Sequence, residues 1–168
     1  LTATIEGADV GSYLEGLIEK VTAHPQIQVL TRSLIVGFSG FKGNFTTEVL
    51  VGPGMYERKL ENRVVVLATG ATEYQHKEFL YGSDQRVFTQ VELSKLLKEK
   101  GAKDLNRVVM IQCVGSRNGE NPNCSRVCCQ SAIKNALNIK KLQPDAQVFI
   151  LYRDIRTYGL LEDYYTEA

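Results

Sequence analysis

Apolar residues at Tyr13, Leu14, Leu17, Ile18 and Val21 recur at the spacing that lines one face of a helix. Asp9 or Ser12 can cap its start, and His24-Pro25 ends it, because the residue before a proline leaves helical geometry. The apolar stripe is read as core, and His24 is placed to cap the last carbonyls. From Ile27 the pattern shortens. Residues 27–30, 34–39, 45–51 and 55–60 read as strands, with turns at Ser39-Gly40-Phe41-Lys42-Gly43-Asn44 and Gly52-Pro53-Gly54. Such tight connections predict an antiparallel meander. Arg63-Val64-Val65-Val66-Leu67-Ala68 then reads as a fully buried strand running into Thr69-Gly70-Ala71.

Residues 71–88 carry no periodicity and are read as loop, with Tyr74 and Tyr81 packing it and His76 exposed. Thr89-Gln90-Val91-Glu92 is a capping-box pattern. It predicts a helix through Leu93, Leu96 and Leu97 that stops at Gly101. Lys95, Lys98, Glu99 and Lys100 form its solvated face. Beyond it come a short buried strand at 107–112, an amphipathic helix at 125–141 and a second buried strand at 147–152. A polar turn at Arg153-Asp154 and a helix from Leu160 to Ala168 complete the chain. Leu1 to Ile5 is either a strand or a leftover. The fold class is α/β: an antiparallel meander in residues 1–102 and a Rossmann-like βαβ unit in 103–168.

In such a βαβ unit ligands bind at the carboxyl end of the first strand, against the N-terminus of the helix. Here that place holds all four cysteines. Cys113 ends the strand; Cys124, Cys128 and Cys129 sit where the helix begins. Confined to seventeen positions, they do not resemble a disulfide scaffold, and adjacent Cys128 and Cys129 suit each other poorly as a bridge. A reducing, cytoplasmic setting follows. The spacing is C-x10-C-x3-C-C, unlike either common ferredoxin run. On an ideal helix Cys124 and Cys128 share a face while Cys129 points about 100° away, so convergence demands an irregular first turn. Four soft thiolates suit an iron–sulfur cubane or a closed tetrahedral zinc site. Arg117 and Arg126 are placed to offset the negative charge of either. A thiol–disulfide exchanger is the weakest reading, since no Cys-x-x-Cys pair is present.

Totals narrow the field. A net charge of +1 gives no electrostatic case for nucleic acid, and no apolar run approaches membrane-spanning length. The 43% apolar and 23% charged content is that of a globular protein. His24 and His76 have no carboxylate pattern near them, so no acid–base catalytic residue is assigned. The chain begins at Leu1 rather than methionine, and is expected to be an excerpt of something longer.

The stretch Ile111-Gln112-Cys113-Val114-Gly115-Ser116-Arg117, followed by Cys124-Ser125-Arg126-Val127-Cys128-Cys129, resembles the family of heterodisulfide reductase A subunits. So do Ala132–Ala136, Ile150–Arg156, Gly43-Asn44-Phe45, Ala68-Thr69-Gly70-Ala71, Tyr81-Gly82, Thr89–Leu93 and the helix around Tyr13-Leu14-Glu15. The likeness runs over roughly residues 10–168. It implies a partial thioredoxin-reductase-like flavoprotein fold from anaerobic metabolism. It further implies FAD near Ala68, Thr69, Gly70 and Ala71, and a [4Fe–4S] cluster on Cys113, Cys124, Cys128 and Cys129. Electrons would pass between the two and on to partner subunits. The Gly-x-Gly-x-x-Gly turn that grips FAD in the family is absent from these residues. The alternative is a non-enzymatic interaction module with a structural zinc site on the same four cysteines. The piece alone is expected to be inactive, and its uncovered strand edges to make it a homodimer, with elements exchanged.

Overall fold

The computed structural model describes residues 8–168, so the reading of Leu1–Ile5 lies outside the described residues. The described residues form two compact units, one of residues 12–71 and one of residues 72–168 together with residues 8–11. It is mixed α/β: one three-stranded antiparallel sheet and one two-stranded parallel sheet.

In the first unit, helix α1 (Val10–Ala23) forms where the periodicity put it. Its apolar face is not core, however. Tyr13, Leu14, Leu17, Ile18 and Val21 are all exposed, and no residue of α1 is buried. A stripe specifies that a face should be covered, not which element covers it. His24 caps a last-turn carbonyl with its backbone, donating its N–H to the Val21 carbonyl at 3.3 Å, and its side-chain Nδ1 accepts the Gln26 N–H at 3.2 Å.

The meander is β1 (Ser33–Phe41), β2 (Asn44–Val51) and β3 (Tyr56–Asn62), antiparallel in that order. Phe41 pairs with Asn44 across a two-residue loop, and Val51 with Tyr56 across the next. Phe38 and Phe45 stack at 5.1 Å, and Lys59 pairs with Glu48 at 2.8 Å on directly opposed positions. Residues 27–30 are not a strand. Neither are residues 63–68, where Val64 is 72% and Leu67 82% exposed. A buried strand must pair its backbone N–H and C=O groups, and among the described residues no strand pairs with this segment.

The second unit starts with a loop in which His76 is half-buried, not exposed. Its ring lies 4.8 Å from that of Tyr81, and its Nδ1 is buried without a hydrogen-bond partner. The Tyr81 hydroxyl donates to Glu92 Oε1 at 3.0 Å and lies 3.2 Å from Gln75 Oε1. Helix α2 (Gln90–Lys100) has the predicted capping box: Thr89 Oγ1 accepts the Glu92 N–H, and Glu92 Oε2 accepts the Thr89 N–H at 2.8 Å. Gly101 ends it, donating its N–H to the Leu97 carbonyl.

Then follow β4 (Arg107–Ile111), α3 (Cys128–Leu142), β5 (Gln147–Leu151), a 3-10 turn at Gly159–Leu161 and α4 (Glu162–Glu167). β4 and β5 are parallel, with Val109 opposite Phe149 and Ile111 opposite Leu151. Helices α2 and α3 cover one face of this pair. Leu93, Leu97, Met110, Ala132, Ala136 and Ile139 form the core there. Asn135, 1% exposed, joins the helices: it accepts from Ser94 Oγ at 2.8 Å and donates to the Gln90 carbonyl at 3.0 Å. The other face is bare. Val109 is 55% exposed, and Ile111, Phe149 and Leu151 share that surface, so these strands are buried on one side only.

Two substitutions test this core. Ile139→Ala should destabilise the second unit by about 3 kcal/mol and Thr89→Ala by about 1 kcal/mol, read from amide exchange of α2 and α3.

Candidate functional site

β4 delivers its last residues to the start of α3 through a sixteen-residue connection, 112–127, that carries Cys113 and Cys124. Gln112 anchors its beginning. This buried side chain reaches the Cys128 carbonyl at 3.5 Å, and its backbone N–H continues the ladder to the Leu151 carbonyl at 2.9 Å. The chain then bends sharply. Cys113, Arg117 and Arg126 all have positive φ, at 62°, 56° and 64°. For residues with a side chain that region costs roughly 1–2 kcal/mol each, so surrounding contacts must hold the bends.

Helix α3 begins at Cys128, three residues after the expected start. The left-handed Arg126 interrupts the helical run. Cys124 therefore lies outside the helix, and its Sγ accepts the Arg126 N–H at 3.3 Å. The predicted irregular first turn is present, displaced to the residues before Cys128.

Cys113, Cys124 and Cys128 are half-buried, and Cys129 is buried at 2% exposure. All four are free thiols. They share one neighbourhood with the segment after β5. The Arg117 guanidinium lies 3.9 Å from Cys113 Sγ. Cys129 Sγ lies 4.0 Å from the Asp154 carbonyl oxygen, to which it donates. Burial pushes the Cys129 thiol above its ordinary range; the Arg156 backbone N–H opposes this, while Cys128 and Cys113 add to it. Cys128 and Cys113 are thus electrostatic neighbours of Cys129, and Cys124 is a neighbour of Arg156. Yet the sulfurs are not closed around a point. Among the described residues no three His, Cys, Asp or Glu side chains form a group that could hold a metal ion. The donor set is that of a thiolate metal centre; its arrangement is that of separate thiols.

Asp154 is the hub that the sequence reading passed over as part of a polar turn. Its Oδ1 takes the Arg117 guanidinium and its Oδ2 the Arg156 Nε, the latter at 2.7 Å. Arg156 first, then Arg117, hold the carboxyl below its usual range. Arg126, the other expected charge, touches the site through its backbone while its side chain is exposed. The signal for Asp154 and Arg156 was their position: just past the carboxyl end of β5, beside the equivalent end of β4.

Ala68, Thr69, Gly70 and Ala71 belong to the other unit. They are exposed and have no regular structure; Gly70 has φ 71°, and nothing lies within 4 Å of where its Cβ would be. Room for a close approach exists there, without a cradle around it.

No protein-family model matches the chain. Curated relatives do. The A subunit of the H(2)/formate:CoB-CoM heterodisulfide,ferredoxin reductase of Methanococcus maripaludis is 37% identical over 129 residues, covering 67% of this chain and 20% of that protein. The iron-sulfur A subunit of the CoB–CoM heterodisulfide reductase of Methanocaldococcus jannaschii is equally similar, at 37% over 129 residues with the same coverage. The A subunit of the ferredoxin:CoB-CoM heterodisulfide reductase of Methanosarcina acetivorans is 34% identical over 144 residues, covering 60% of this chain and 18% of that protein. The chain thus spans about a fifth of the length of the relatives it matches.

Gly115 offers a test of the loop. It has φ 66°, and the Tyr74 ring occupies the place a Cβ would take. Gly115→Ala should cost more than the roughly 1–2 kcal/mol of its left-handed backbone, because the new methyl also meets the Tyr74 ring. In a Tyr74→Ala background the loss should shrink to its backbone part, a comparison made by a double-mutant cycle in urea.

Proposed function

Through two thirds of its length the chain belongs to the family of heterodisulfide reductase A subunits, and from that premise we propose that it is a piece of an electron-transfer subunit whose Cys113, Cys124, Cys128 and Cys129 hold one [4Fe–4S] cluster. The observation that carries this reading is the confinement of all four cysteines to the one stretch between the end of β4 and the first turn of α3, with Arg117 beside Cys113. A cluster bound there would take up and return one electron at a time.

The chain's own residues supply the surroundings. Cys129 is set in the core side of α3, away from water. Arg117 and Arg156 bring positive charge to sulfurs that must give up their protons on loading. Gln112 ties the end of β4 to the first turn of α3. Because the thiols are not preassembled, loading is coupled to a rearrangement of residues 113–127. Cys113 and Cys124, both outside helix and strand, are the ligands free to move.

The remaining parts of the proposal concern the longer protein. There, residues 1–102 are part of a thioredoxin-reductase-like FAD domain, and the exposed turn Ala68-Thr69-Gly70-Ala71 meets the flavin. Residues 103–168 are a Rossmann-like unit carrying the cluster. Electrons pass between flavin and cluster and onward to other subunits of a cytoplasmic complex. Among the described residues no helix is long and apolar enough to cross a membrane. The isolated piece is inactive and pairs with itself through the bare face and open edges of β4 and β5. Light scattering that gives a clean monomer at high concentration would remove the self-pairing.

Anaerobic purification with iron, sulfide and zinc analysis tests the centre. A brown protein with about four irons per chain is expected. Cys113→Ser and Cys128→Ser should each lose the iron; unchanged iron in both overturns the ligand assignment. One zinc in a colourless protein, which the same four thiolates also suit, would replace the electron-transfer reading with a structural one.

A further inference from the structure

We propose that Asp154 is a positioning residue for the thiol site: it grips Arg117 and Arg156 together, and so fixes the Cys113–Asn123 loop and two guanidinium charges against the cysteine sulfurs. This deepens the cluster reading and rests on it.

Each oxygen of the carboxylate serves a different arginine. Arg117 belongs to the loop and Arg156 to the segment after β5, so one acidic side chain ties the two together. Arg117 is held through side chain and backbone alike. Its guanidinium meets Asp154 and Cys113 Sγ, its N–H donates to the Asn123 carbonyl at 3.3 Å, and its own carbonyl accepts from Arg153. Those contacts hold a residue whose φ of 56° is unfavourable on its own. Arg156 is oriented by the same carboxylate, its Nε 2.7 Å from Asp154 Oδ2, two residues past the carbonyl that the Cys129 sulfur approaches at 4.0 Å. Asp154 also offers its backbone carbonyl to the Cys129 thiol.

The guanidiniums of Arg117, Arg153 and Arg156 outweigh the one Asp154 carboxylate and leave net positive charge at the thiol site. Net charge and hydrogen bonds to sulfur are the terms by which a protein sets a cluster's potential. Removing one positive charge must therefore make the centre harder to reduce. Removing the carboxylate must release the loop. A merely structural Asp154 would account for the second effect but not for the first at Arg156.

The test compares the full chain with Arg156→Gln, Arg156→Lys and Asp154→Asn, each loaded anaerobically with iron and sulfide. Arg156→Gln should move the one-electron midpoint to more negative values by at least about 59 mV, a tenfold change in equilibrium constant. Arg156→Lys, which keeps the charge, should stay within that margin. Asp154→Asn should release iron to a chelator at least tenfold faster. In the metal-free chain it should also speed amide exchange across residues 113–123 tenfold, with α2 and α3 as the unchanged internal standard. If Asp154→Asn loses protection throughout, the Arg156→Gln and Arg156→Lys pair decides alone. Wild-type midpoint, release and exchange in the variants would overturn the proposal and leave the cluster reading standing. A wild-type chain that takes up no iron overturns the cluster reading instead. The positioning role is then judged by exchange alone: faster loop exchange in Asp154→Asn supports it, and unchanged exchange sinks it.

Discussion

Parallel strands cannot be joined by a tight turn. Having formed β4, the chain must return the whole length of the strand before β5 can start in register beside it, and α3 is that return. The rest of the second unit depends on this. The return obliges the chain to leave β4 at its carboxyl end, cross above the sheet and enter α3 there. It also brings the end of β5 to the same edge. The crossing loop and the charged residues after β5 therefore meet, although Arg117 and Asp154 are 37 positions apart in sequence. Packing of α2 and α3 on a single face then leaves that edge open and the opposite face uncovered.

Local chemistry was legible in the sequence wherever a local rule decides the outcome. The Thr89–Glu92 box, the stop at Gly101 and the turns at Lys42-Gly43 and Gly52–Gly54 need only neighbours in the chain, and they are where the residues placed them. Burial was not legible, because it belongs to whatever covers a face. The stripe of α1 and the apolar run at 63–68 have the composition of core and are exposed. The half-covered strands β4 and β5 carry the same lesson: their alternate residues, Val109 and Phe149 among them, are as apolar as the buried set.

The thiol site divides in the same way. Four cysteines in one crossing connection could be found from spacing and from the strand and helix on either side. Arg117 was singled out because it shares that loop. Asp154 and Arg156 were not, since a charged pair after a strand looks like an ordinary solvated turn until the parallel register sets Asp154 beside Arg117 and Cys129. The left-handed Arg126 was equally silent. No residue type demands that conformation there, and arginine is among those that resist it.

Asn135 limits where the second unit can give way. Its amide makes three hydrogen bonds, two of them to Gln90 at the root of α2 and one to Ser94 a turn later. Sliding α2 along α3 by even one turn would strand those polar atoms in an apolar layer, at about 1–3 kcal/mol for each left unmade. The amide behaves as an index pin between two rods. Any change of shape demanded above the sheet is thus denied to the helical layer and thrown back onto the crossing loop, with α2 and α3 as its anvil.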